Sequence, residues 1–94
     1  MVEQQSLVDI QKQLHLKAYE ALDLALQFEA ANDLSDALTY YRTGIEALRK
    51  ATRLDWPQER MPSSARELHE KMLRNLTKFE SHYLNLETQL KGKL

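Results

Sequence analysis

Only four residues in this chain of 94 break long helices readily, and they are poorly placed for building anything else. Pro57 and Pro62 fall in one short stretch, Gly92 lies near the end, and Gly44 stands alone in the middle. A meandering sheet needs a turn every few residues, and turns draw on Gly and Pro. Long helices need neither. From Val2 to Ala31 neither residue occurs and good helix formers dominate, which lose little rotamer freedom in a helix.

Periodicity divides the chain into three helices. Leu7, Ile10, Leu14, Ala18, Ala21 or Leu22, Ala25 and Phe28 recur at helical steps, predicting a first helix over about 4–31 with one buried face. Its alanines allow a neighbour to approach closely. A second stripe, Val8, His15, Tyr19, Leu22 and Leu26, runs beside the first with Lys12 interrupting it, so the helix is expected to touch two neighbours. Asn32 tolerates the left-handed conformation that follows many helix ends. Asp33 is placed to cap the next helix, with Asp36 at its positive end and Arg49, Lys50 and Arg53 at its negative end. That second helix spans about 34–54 and buries Leu34, Ala37 or Leu38, Tyr41, Ile45, Leu48 and Thr52. Gly44 costs about 1 kcal/mol against Ala in a helix interior. Close approach of another helix accounts for it; simple tolerance is the alternative.

Residues 55–62 read as the loop, because Pro57 and Pro62 push Trp56 and Met61 out of the helical region. Trp56 is expected as a lid over one end of the bundle rather than a ligand platform. Ser64 and Glu67 have capping-box spacing, opening a third helix over about 64–90. Its seam is Ala65, Leu68, Met72, Leu76, Phe79, Tyr83, Leu86 and Leu90, and residues 91–94 should fray. Leu73 and Leu84 fall off the seam on one common face. Short connections make sequential helices neighbours. The expected fold is an all-α, antiparallel up-down-up three-helix bundle, one domain over 1–94.

Little in the chain looks like chemistry. The net charge is −1, without the basic excess of nucleic-acid binders. The absence of cysteine excludes disulfides and thiolate metal sites. His15, His69 and His82 lack ligand spacing: His69-Glu70 begins like a zinc-protease helix, but Leu73 stands where the second histidine is required. Glu67 with Lys71 and Glu70 with Arg74 read as i,i+4 ion pairs on a solvated face. No glycine-rich loop is present to hold a phosphate. No enzyme, metal or cofactor is expected. No apolar run approaches a membrane span, and the first residues lack the basic and apolar regions of a signal peptide, so a cytoplasmic setting is expected. What remains is surplus apolar surface, which suits either a groove for a partner helix or a bundle whose helices each contact two others. Periodicity does not choose between them.

Ala31-Asn32-Asp33-Leu34-Ser35-Asp36-Ala37-Leu38, then Tyr41, Gly44-Ile45 and Leu48, resembles the first turn and second helix of microtubule interacting and trafficking (MIT) domains. Lys71-Met72, Asn75-Leu76 and Leu84 or Leu86 are similar to the final helix of that family. His15 with Ala18-Tyr19-Glu20, and Gly44-Ile45-Glu46-Ala47-Leu48, resemble its spastin and spartin branch. The likeness covers almost the whole chain through loose, mostly structural motifs. Asn32 replaces a usual glycine, Phe79 stands where many members have alanine and so fills or reshapes the neighbouring groove, and the insertion of spastin before the turn is missing.

The resemblance implies a non-enzymatic adaptor that binds helical C-terminal motifs of ESCRT-III subunits, the charged multivesicular body proteins. It would thereby bring an attached effector to endosomal or other ESCRT-III-bearing membranes without inserting into them, and would be monomeric in isolation. The branch uses the groove between helices 1 and 3. Its carried-over positions are His15 and Tyr19, to which helical spacing adds Val8, Leu22, Leu26, Leu73 and Leu84. The alternative groove, between helices 2 and 3, matches at Leu76 and Glu80, with Glu80 suited to a basic residue on the incoming helix. Two other readings compete: a tetratricopeptide-like helical scaffold, for which no repeat recurs, and a self-associating bundle.

Overall fold

The chain reverses at Asn32, whose φ of 62° is the sole positive value among the described non-glycine residues. Its N–H donates to the Glu29 carbonyl at 2.9 Å, and the Asp33 N–H donates to that of Phe28 at 2.8 Å. This is the paired closure of a Schellman motif, satisfying carbonyls that the helix end leaves open. Asp33 then starts the next helix. Its carbonyl accepts from the Ala37 N–H at 3.0 Å, and its side chain accepts from the Asp36 N–H at a long 3.4 Å.

In the computed structural model, which describes residues 2–57 and 61–92 with side chains from Leu7 onward, the elements are α1 (Val2–Ala30), α2 (Leu34–Thr52) and α3 (Ser63–Gly92). They form the expected antiparallel three-helix bundle, 52 Å long and 18 × 16 Å across. α2 is the central element. Its backbone lies close along α1 and less close along α3, while α1 and α3 stand further apart and meet through side chains. The small residues explain the closeness. Ala18, Ala21 and Ala25 of α1 are buried, as are Ala37, Gly44, Ala47 and Ala51 of α2. A Cβ built on Gly44 would lie 2.7 Å from Cγ and Cδ2 of Leu22 and 3.1 Å from the Ala18 carbonyl oxygen. The glycine is there because a helix occupies the space.

Several boundaries and side chains differ from expectation. α2 stops at Thr52, two residues early, where the Arg53 N–H is shared between the Arg49 and Lys50 carbonyls. α3 starts at Ser63: the Arg66 N–H donates to the Pro62 carbonyl at 2.9 Å. Ser64 therefore lies inside the first turn, and no capping box forms. Helix continues through Lys91 and Gly92, with Lys91 Nζ 4.0 Å from Glu87, so fraying does not begin at 91. Residues 93 and 94, and positions 58–60 of the loop, lie outside the described residues. Ile10 is 41% exposed: on α1 it precedes the stretch that α2 covers. Trp56 is half-buried and non-helical, with an Nε1 that is buried and has no partner among the described residues.

Candidate functional site

Each flank of α3 borders a groove. On one side α3 faces α1. Two hollows lie there, one of about 350 Å³ lined by Val8, Gln11 and Lys12 of α1 and by Ala65, Leu68 and Lys71 of α3. The other, about 420 Å³, is lined by Leu26 of α1 and by Lys78, Phe79, His82 and Asn85 of α3. Between them Tyr19 reaches across from α1, and the Asn75 side-chain amide donates to its hydroxyl. The Tyr19 ring is flanked by His15, with centroids 4.6 Å apart, and by Lys71 Nζ, 5.9 Å from its centroid. Burial, and then the nearby Lys71 charge, hold the His15 imidazole below its ordinary pKa of 6.5, which favours the neutral ring.

The groove closes toward the α1–α2 turn through a three-helix network. The Glu29 carboxylate accepts from the Tyr41 hydroxyl at 2.6 Å and lies 2.8 Å from His82 Nε2. Burial pushes the Glu29 pKa up, but hydrogen bonds from His82 and Tyr41 and the His82 charge outweigh it and hold the group below its ordinary 4.5. Burial and the Glu29 contact push the Tyr41 phenol well above its usual range.

On its other side α3 faces α2 across a groove of about 600 Å³, lined by Arg42, Ile45, Glu46 and Arg49 of α2 and by Thr77, Glu80, Tyr83 and Leu84 of α3. Polar pairs already span it. Arg49 donates to one oxygen of Glu80 through Nε at 3.0 Å and Nη2 at 2.6 Å, and Arg42 donates to the Tyr83 hydroxyl at 2.9 Å.

The residues proposed from sequence separate accordingly. Val8, His15, Tyr19 and Leu26 border the α1–α3 side together. Leu22 does not: it is 1% exposed, packed beneath Gly44 in the α1–α2 core. Leu84 lines the α2–α3 groove instead, and Leu73 shares its α3 face by helical spacing. Both are exposed, at 59% and 43%. Leu76 is half-buried against the core. Glu80 lies in the α2–α3 groove as expected, but Arg49 already holds it. Phe79 floors the second hollow with its ring 6.0 Å from that of Tyr41, filling part of the groove. The expected pairs Glu67–Lys71 and Glu70–Arg74 are not among the ion pairs formed by the described residues; Lys71 turns to Tyr19 instead.

Gln11 was missed by the sequence reading. It is 1% exposed and donates to the Ala65 carbonyl at 2.9 Å, tying α1 to the first turn of α3. The available signal was its position between Leu7 and Leu14, where a helical apolar stripe has a gap. Among the described residues no cluster of three or more His, Asp or Glu is arranged to hold a metal, and His69 Nδ1 is buried without a partner. No helix of the described residues is long and apolar enough to cross a membrane. Comparison with protein-family models, with curated proteins and with solved structures gave no match to this chain.

Proposed function

We propose that this chain is a non-enzymatic MIT-type adaptor that receives an amphipathic helix, of the kind at the C-termini of ESCRT-III subunits, between α1 and α3. The observation that carries the reading is the packing asymmetry. The α2 backbone lies closer to each neighbour than α1 and α3 lie to one another, and the cleft along α1 and α3 is bordered by Val8, Tyr19 and a 48% exposed Leu26. An incoming helix offering apolar residues on one face would bury surface that the bundle itself cannot cover. The resemblance of the turn, of Gly44-Ile45 and of the His15–Tyr19 segment to MIT domains supplies the partner class. Affinity is modest, since the area is small and the tail must order on binding; polymerised partners and an oligomeric effector raise it by avidity. Recruitment of the attached effector to membranes bearing such polymers follows from the same reading.

Titration of the isotope-labelled chain with a full set of ESCRT-III C-terminal peptides tests it. Amide shifts are expected at Val8, His15, Tyr19 and Leu26, and no shift with any peptide rejects the proposal. Tyr19→Asp should abolish binding while the chain stays folded by circular dichroism, with a lowered Tm because the Tyr19–Asn75 contact is lost. A second reading, with the helix between α2 and α3, is favoured by the exposure of Leu73 and Leu84; full binding by Tyr19→Asp would select it.

A further inference from the structure

The α1–α3 groove is not one continuous channel. The Tyr19–Asn75 contact crosses it and leaves a hollow on either side. On α3 the two hollows are lined by residues from 64 to 71 and from 78 to 85, an offset of two heptads, about 21 Å at 1.5 Å per residue. Each hollow has an apolar element, Val8 and Leu68 in the first, Leu26 and Phe79 in the second. The divide between them is polar.

Charge is distributed unevenly along the same groove. Lys12 and Lys71 line the first hollow and Lys78 the second, and Glu67 is the one carboxylate among the described residues lining either. None of these lysines is in an ion pair among the described residues. Glu29, at the closed end, is already engaged by His82 and Tyr41. A chain with a net charge of −1 thus presents a locally cationic cleft.

Resting on the adaptor reading, we infer that the occupant is an acidic amphipathic helix of at least about four turns, with two apolar anchors two heptads apart. One anchor seats beside Val8 and Leu68, the other beside Leu26 and Phe79. Acidic residues between them face Lys71 and Lys78, and the helix passes over Tyr19 without displacing it. Anchors one heptad apart place the second side chain on the polar divide.

The test uses synthetic helices of Ala, Gln and Glu with two leucines, either two heptads or one heptad apart at identical composition, titrated into the full chain. The two-heptad peptide should bind about tenfold tighter or more, the worth of one buried leucine, and should shift Val8 and Leu26 together. Replacing its glutamates by lysine should abolish binding to the native chain and restore it to a Lys71→Glu/Lys78→Glu variant. Equal affinities for the two spacings, shifts in one hollow alone, or shifts at Arg42 and Leu84 overturn the inference. ESCRT-III tails that bind while leucine spacing has no effect leave the adaptor reading standing without it; no binding by any helix removes both.

Discussion

Replacing Gly44 by alanine sets two effects of known size against each other. In an exposed helix the change gains about 1 kcal/mol from propensity. Here the new Cβ would sit 2.7 Å from Cγ and Cδ2 of Leu22 and 3.1 Å from the Ala18 carbonyl oxygen, where ordinary contact begins at 3.4 Å. Leu22 has no room to retreat, being 1% exposed in the core, and the Ala18 carbonyl belongs to the α1 backbone. Relief therefore requires α1 and α2 to separate by several tenths of an ångström along an interface built from small residues. Overpacking of this kind costs about 1–3 kcal/mol, so the net effect is destabilising by about 1 kcal/mol. In a domain of this size that is a fall of about 4–8 °C in Tm, read from urea and thermal melts at 222 nm. A double-mutant cycle sharpens the reasoning. Leu22→Ala alone should cost about 2–5 kcal/mol, but in that background Gly44→Ala meets much less resistance and should turn neutral or stabilising. Additivity of the two changes, or a Tm raised by Gly44→Ala alone, refutes the close-approach argument.

Asn32→Gly should leave the melt unchanged or raise it slightly, whereas Asn32→Ala should cost about 1 kcal/mol, because only the latter puts an unsupported Cβ at a positive φ. Glu29 has a depressed pKa, so its stabilisation is complete above the unfolded value of 4.5 and is lost as pH falls through the lower folded value. Glu29→Gln should flatten that acid limb in melts recorded from neutral pH downward, and an unaltered limb would remove the network from the account. Arg49 and Glu80 are 45% and 37% exposed, and both arginine donors converge on one oxygen. Their coupling in a double-mutant cycle should be below about 1 kcal/mol and shrink further in salt.

What could be read from the sequence was what depends on neighbouring residues. The reversal at Asn32–Asp33 is closed by hydrogen bonds spanning one helical turn, so the residue types that make it suffice to find it. Gly44 was legible for a similar reason: a glycine amid helix formers signals backbone proximity. Groove membership was not legible. Spacing places Leu73 and Leu84 on one face of α3, but which neighbour that face meets depends on the order of the helices around the bundle, and for Leu84 the neighbour is α2. Leu22 fits both stripes of α1 and is claimed by the one that faces Gly44. Polar partners were equally hidden. Arg49 and Glu80, or Gln11 and Ala65, come together only through tertiary packing, while the local pair Glu67–Lys71 yields to the Tyr19 ring.

The two grooves differ in what a helix must displace and what it gains. Entering the α2–α3 groove means opening Arg49–Glu80 and the Arg42–Tyr83 contact, so new ion pairs there replace existing ones. The rim pair is exposed and its loss costs little, but the electrostatic gain is correspondingly an exchange. In the α1–α3 groove Lys71 and Lys78 have no acidic partner among the described residues to surrender, and each new carboxylate adds an interaction. The Tyr19 hydroxyl is already satisfied by Asn75; stranding a buried polar group costs about 1–3 kcal/mol, which favours a helix that crosses above it. Ionic strength therefore separates the two sites. Raising salt from about 0.01 M to 1 M shortens the screening length from about 30 Å to 3 Å, and should weaken an acidic helix in the α1–α3 groove far more than one between α2 and α3. An affinity indifferent to salt, together with intact binding by Tyr19→Asp, would assign the helix to α2 and α3.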